Sequence, residues 1–193
     1  GQTSGSFPEE RAAKALAVMT DARLVTVADT THFVPMERPD ELARLMTEEQ
    51  GKPLKESMGE VANSAVRLDY FCDTAPKALA PIEADLGNAR SVTRFQPIGV
   101  IGAIKPWNFP VTIPIWTIGP ALLAGNSILF KPSERTPLLG EAIAKLFPEA
   151  PMETVHGADE VGKAIVDSDV DMISFVGSQA VGSEIMKKSA DRI

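Results

Sequence analysis

The sequence has 193 residues, of which 44% are hydrophobic and 23% charged, with a net charge of −7. This composition supports a packed core and excludes a disordered chain, and the acidic balance argues against nucleic acid, whose phosphates need a basic face. One cysteine, Cys72, and two histidines, His32 and His156, leave no internal disulfide framework and no zinc-ligand cluster, so a reducing, cytoplasmic setting is expected.

Residues 1–38 read as a short helix, a strand and a turn. Glu9 to Val18 has helical composition with Pro8 at its start, and Leu24-Val25-Thr26-Val27 is a β-branched run. No apolar signal-peptide core is present in the first residues. Pro39-Asp40-Glu41 opens a helix running to about Glu49, with acidic residues in its first turn, and Gly51 and Pro53 end it. A long helix is expected from about Leu54 to Leu79, with Val61, Ala65, Leu68 and Cys72 at helical spacing. That stripe marks Cys72 as a core residue.

From residue 91 the pattern changes. Ser91 to Phe95 alternates like a half-buried strand. Apolar strands then alternate with helical segments: strands at 100–104, 127–130, 153–155 and 172–176, helices at about 111–124, 136–147, 158–167 and 179–190. Pro114, Gly119, Pro120 and Gly125 interrupt the longest apolar run, so no membrane span is expected. Continuous apolar strands separated by helices predict an α/β fold whose parallel sheet is covered by helices on both faces. The expected organisation is a segment 1–38 of separate character, then 39–193, helical over 39–90 and α/β over 91–193.

Parallel sheets bind ligands at the carboxyl ends of their strands, and three strand ends carry unusual loops. In Lys105-Pro106-Trp107-Asn108-Phe109-Pro110, prolines on both sides hold an asparagine whose amide suits a developing oxyanion; a structural turn around a capped Asn108 is the alternative. Lys131-Pro132-Ser133-Glu134 places a lysine and a carboxylate where a ribose could be held, or is a solvated loop with a helix cap. Phe175-Val176-Gly177-Ser178 runs from strand through a Gly-Ser turn into a helix, a geometry that offers backbone amides to a phosphate and that also serves as a plain tight connection. Together the three loops make nucleotide binding the leading reading.

The segment Phe95-Gln96-Pro97-Ile98-Gly99-Val100-Ile101-Gly102-Ala103-Ile104-Lys105-Pro106-Trp107-Asn108-Phe109-Pro110 resembles the aldehyde dehydrogenase superfamily. So do Gly119 to Asn126, Lys131 to Pro137 and Asp171 to Ser178, in the family's order and spacing, and Glu48-Glu49-Gln50-Gly51-Lys52-Pro53 extends the match upstream. The resemblance covers about 39–193 and is nearest to semialdehyde-oxidising members. It implies an incomplete Rossmann-like sheet, an aldehyde substrate, and NAD-dependent oxidation of that aldehyde to an acid. It also implies site roles. Asn108 matches the oxyanion donor, and Lys131, Ser133 and Glu134 the loop that holds the adenosine ribose. Ile104 and Trp107 line the cofactor cleft, Gly177 and Ser178 lie under the pyrophosphate, and Val181 packs near the adenine. A carboxylate at Glu134 would repel a 2′-phosphate, which favours NAD over NADP.

Three departures accompany the resemblance. Val176 replaces the family's usual threonine, and the segment 147–152 is short. The family's general-base glutamate and catalytic cysteine have no counterparts up to Ile193, so the chain alone is expected to hold cofactor without turnover. It is also expected to self-associate through an open sheet edge. A non-catalytic nucleotide-binding or interaction module is the first rival. Residues 22–39, with His32 just after a strand, resemble the C-terminal end of an α/β-hydrolase, so a hydrolase relic is the second; no nucleophile elbow accompanies that histidine.

Overall fold

The computed structural model describes residues 39–190. The expectations for residues 1–38, His32 among them, lie outside the described residues.

Two helices open the described chain. Helix α1 (Pro39–Gln50) carries Asp40 and Glu41 in its first turn, where they meet the helix dipole, and buries Leu42, Ala43 and Met46. Gly51, with a φ of 76°, turns the chain out of α1 and donates its N–H to the Thr47 carbonyl. Helix α2 (Leu54–Ala78) buries one stripe, Ser57, Glu60, Val61, Ser64 and Leu68. Cys72, expected in that core stripe, is half-buried.

The next element departs from expectation. Strands β1 (Ile82–Asp85) and β2 (Arg90–Thr93) form an antiparallel hairpin with Ile82 opposite Thr93 and Asp85 opposite Arg90. Its first strand falls inside the stretch read as helical. Both strands are exposed at every residue, so the alternation at 91–95 does not mark a half-buried strand. Local chemistry makes the hairpin instead. Gly87 takes a φ of 80° at the turn, its N–H donates to Asp85 Oδ1, and Glu83 pairs with Arg90 across the strands.

The remaining chain is a four-stranded parallel sheet of β3 (Val100–Ile104), β4 (Ser127–Lys131), β5 (Met152–Thr154) and β6 (Met172–Phe175), in the order β5-β4-β3-β6. The connecting helices are α3 (Thr112–Leu123), α4 (Pro137–Ala144), α5 (Asp159–Asp167) and α6 (Gln179–Ser189). All four helices are a residue or more shorter than the sequence reading, β5 is shifted by one residue, β6 ends one residue earlier and β4 one residue later. Alternation along β3 divides the core. Ile101 and Ala103, with Ile128 and Phe130 of β4, pack into one cluster with residues of α1 to α4. Ile104 faces the other way, into a smaller cluster with Leu129, Ile165, Val166, Ile173 and Ile185. Helices therefore cover both faces, as a parallel sheet requires.

Two glycines let helices pack close to their neighbours. A Cβ on Gly102 would lie 2.7 Å from a methyl of Ile165 under α5, and one on Gly119 would lie 2.7 Å from a methyl of Leu68, where α3 crosses α2. Asn126 ties the start of the sheet. Its Oδ1 accepts from the N–H groups of Ile98 and Gly99, and its Nδ2 donates to the Ala121 carbonyl. Asp171 Oδ2 accepts from the Val100 N–H at the same end.

Candidate cofactor cleft

A cleft of about 370 Å³ opens at the carboxyl ends of β3, β4 and β6. Ile104 and Trp107 line it from the end of β3, Lys131, Ser133 and Glu134 from the end of β4, and Gly177, Ser178 and Val181 from the turn into α6. All eight residues singled out for cofactor contact therefore meet in one place. The loops are far apart in sequence and converge because parallel strands end on the same side.

Each loop is fixed by its own bonds. Lys131 is only 4% exposed; its Nζ donates to the Pro132 carbonyl and stands 3.8 Å from Glu134 Oε2. The Glu134 side chain is 52% exposed and free to meet a ligand. The Ser133 hydroxyl accepts from the Arg135 N–H and contacts Glu134 Oε2 at 3.4 Å. Arg135 in turn stacks over the Trp107 ring at 5.2 Å, joining two of the loops. At the third loop, Ser178 caps α6, its hydroxyl accepting from the Val181 N–H. A Cβ on Gly177 would run into the Phe175 ring, so the turn needs glycine there unless the ring moves.

Asn108 is exposed and is not among the cleft-lining residues. Its peptide is nevertheless held firmly. Gln50 Nε2 donates to the carbonyls of Trp107 and Asn108 at 2.9 and 3.0 Å, and Lys52 Nζ donates to the Asn108 carbonyl at 3.1 Å. Lys52 also lies over the Phe109 ring at 4.5 Å and pairs with Glu60. Buried Glu60 accepts from the N–H groups of Val111 and Thr112, both at 3.0 Å, closing the start of α3. Glu49 does the same for α4 through the N–H groups of Leu138 and Leu139. The sequence reading noted the motif at 48–53 but not this role, because bonds to groups 50 to 90 residues away leave no local signal.

The sequence reading also passed over several charged residues of the cleft: Lys105, Asp159, Lys163, Glu184 and Lys188. Lys105 is the most unusual. It is 3% exposed, and burial lowers its pKa to about 8.

The cleft fits the adenosine half of a dinucleotide in its chemistry. A carboxylate beside a lysine at a strand end can accept from and donate to vicinal hydroxyls, apolar Val181 and Val166 offer a surface to a purine, and the capped start of α6 presents amides to phosphate.

Comparison with known proteins decides the family. The profile of the aldehyde dehydrogenase family matches residues 10–193. The chain belongs to the aldehyde dehydrogenase family. The match begins at residue 10 and so runs through most of the segment that the sequence reading set apart. This aldehyde dehydrogenase sequence is 41% identical over 162 residues to a mitochondrial succinate-semialdehyde dehydrogenase of Arabidopsis thaliana, a stretch covering 80% of this chain and 31% of that protein. Its fold superposes on a Staphylococcus aureus betaine aldehyde dehydrogenase crystallised with NAD+, at a TM-score of 0.77 and 32% identity, over 96% of this chain and 36% of that one. It also superposes on a glyceraldehyde-3-phosphate dehydrogenase of Methanocaldococcus jannaschii crystallised with NADP, at a TM-score of 0.73 and 30% identity, over 80% and 36% of the two chains. The fold is thus the Rossmann-like α/β arrangement of aldehyde dehydrogenases. The chain spans about a third of the length of these relatives. Among the described residues, no helix is long and apolar enough to cross a membrane.

Proposed function

We propose that this region holds the adenosine half of a nicotinamide cofactor, NAD in preference to NADP, for oxidation of a semialdehyde to its acid. We propose further that the 193-residue chain alone binds nucleotide without turnover. One observation carries the reading: the ribose, pyrophosphate and adenine residues proposed from sequence line a single cleft. In this assignment Glu134 accepts from the ribose hydroxyls and Lys131 donates to them. Gly177 and Ser178 offer backbone amides to the pyrophosphate, Val181 meets the adenine, and Ile104, Trp107 and Ser133 shape the walls. The cofactor, when bound, supplies the hydride acceptor. Asn108 is assigned as oxyanion donor, its peptide braced by Gln50 and Lys52. The semialdehyde assignment rests on the similarity to the Arabidopsis enzyme.

Absence of turnover is supported by Cys72. It sits on α2, outside the cleft lining, and burial together with Asp69 and Asp73 raises its pKa to about 11. It stays a thiol at neutral pH and is a poor nucleophile. A cytoplasmic setting, suggested by the single cysteine, and self-association through β6, an edge of the described sheet with Met172 and Val176 exposed, complete the proposal.

Calorimetric titration tests it. NAD should bind at roughly −4 to −6 kcal/mol, in the high micromolar to millimolar range. ADP should bind nearly as well, NADP worse, and Glu134→Gln should narrow the NAD–NADP gap. Equal affinities unaffected by Glu134→Gln would remove Glu134 from the ribose. Aldehyde oxidation by the purified chain would overturn the claim of no turnover, and a clean monomer by sedimentation at high micromolar concentration would overturn self-association.

A further inference from the structure

One buried cation in the cleft has no role in that assignment. Lys105 follows β3 directly, and its amine lies between the edge strand β6 and helix α3. Its Nζ donates to the Ser174 carbonyl at 3.0 Å and to the Ser174 hydroxyl at 2.7 Å, and that hydroxyl in turn lies 3.4 Å from Thr117 Oγ1 of α3. These partners are all neutral. No residue of β6 or α3 carries a charge, and no salt bridge to Lys105 occurs among the described residues. The charged groups facing the same cleft are Lys131 and Glu134 from the end of β4, Asp159 and Lys163 from α5, and Glu184 and Lys188 from α6.

A neutral amine has two N–H groups, and Ser174 accepts both. A charged amine has three, and the described residues give the third no acceptor. Buried ammonium groups are normally paired, because the cost of leaving water is recovered only through a counter-charge. Lys105 is 3% exposed yet lines an open cleft, where no described residue supplies its counter-charge and a bound anion can reach it.

We infer that Lys105 is a specificity residue whose partner is an anionic oxygen of the bound ligand, and that the ligand's arrival adds a proton to the amine. Two sources could supply that oxygen: a phosphate of the cofactor, or the carboxylate of a semialdehyde substrate. This inference rests on the proposed reading of the cleft. The pKa of about 8 sets the window in which proton uptake is visible. If the bound anion returns the amine toward its usual range, affinity falls about tenfold between pH 7 and pH 9. Binding takes up about half a proton at pH 8 and most of one at pH 9.

The test is calorimetry of the full 193-residue chain with adenosine, ADP and succinate, each in two buffers of different ionisation enthalpy, which reads proton uptake without any variant. Adenosine, which has no anion, should take up none. Uptake with ADP identifies a phosphate as the partner, and uptake with succinate a carboxylate. Lys105→Arg, charged throughout, should flatten the pH profile while keeping affinity, and Lys105→Met should flatten it at the weaker, high-pH affinity. If neither ADP nor succinate binds with uptake beyond adenosine's, or if Lys105→Arg keeps the tenfold slope, Lys105 does not meet the ligand, while the cleft assignment stands. If none of the three ligands binds, the cleft assignment falls and this inference with it.

Discussion

Glu60 gives the most demanding test of how the Asn108 loop is held. Glu60 is 6% exposed, and its carboxylate has three partners: the Val111 and Thr112 N–H groups and the Lys52 ammonium. Hydrogen bonds to a charged acceptor contribute about 1.5–3 kcal/mol each, and removing one member of a buried ion pair costs about 3–5 kcal/mol. These effects overlap, so Glu60→Ala should destabilise the fold by about 4 kcal/mol. Glu60→Gln keeps an oxygen for the two amides but loses the charge facing Lys52, and about 2 kcal/mol is expected. Lys52→Met leaves Glu60 with its two amide donors and should cost about 1–2 kcal/mol. The double variant Lys52→Met/Glu60→Gln should then cost less than the sum of its parts by about 1 kcal/mol or more, since contacting residues couple. Urea denaturation followed by circular dichroism measures all four. A loss under about 1 kcal/mol for Glu60→Ala, or strictly additive singles, would refute the account of a charged cap shared between α2, α3 and the loop.

Gly119→Val should destabilise the chain by about 1–3 kcal/mol in the same assay, because its Cβ would meet Leu68 at 2.7 Å in a packed interface. Cys72, with a pKa near 11, should react with iodoacetamide far more slowly than a free thiol at pH 8, the rate climbing until pH passes about 11; a rate that levels off near pH 8.5 would contradict its burial. Lys105 has the opposite linkage. Its folded pKa lies below its unfolded value of 10.5, so the unfolded chain binds the extra proton between pH 8 and 10.5 and stability contributed by this group rises with pH across that window. Lys105→Met should accordingly stabilise the fold at pH 7 by about 1–3 kcal/mol, with the gain fading as pH approaches 10; a gain that is constant with pH would show that the amine is not perturbed.

The parallel sheet was legible because its strands are unbroken apolar runs, and β3 has the bounds that the sequence reading expects. The cleft was legible for a related reason: strand ends are easy to find, and parallel strands deliver theirs to one side. The hairpin was not. In Ile82-Glu83-Ala84-Asp85 only Ile82 and Ala84 alternate with acidic residues, too short a pattern to mark a strand, and the pairing depends on a turn and one cross-strand ion pair. Lys105 was visible as a letter, but its burial arises from α3 and β6 closing around it. The bracing of Asn108 by Gln50 and Lys52 was likewise hidden, since a polar residue just past a helix end ordinarily reads as solvated.

Gln50 and Lys52 flank Gly51, the single left-handed residue that lets them diverge, and together with Glu49 they grip the two loops behind the cleft. The rim that presents Asn108 is therefore held from two helices, by Gln50 at the end of α1 and, through Lys52, by Glu60 of α2. Fraying of the last turn of α1 would release the Trp107 and Asn108 carbonyls from Gln50 while Leu42, Ala43 and Met46 stay packed. Slow amide protons in that turn and in the peptide after Asn108 would then exchange as one group, and a change at Gly51 would be felt at a carbonyl 57 residues away from it in the chain before it was felt in the sheet.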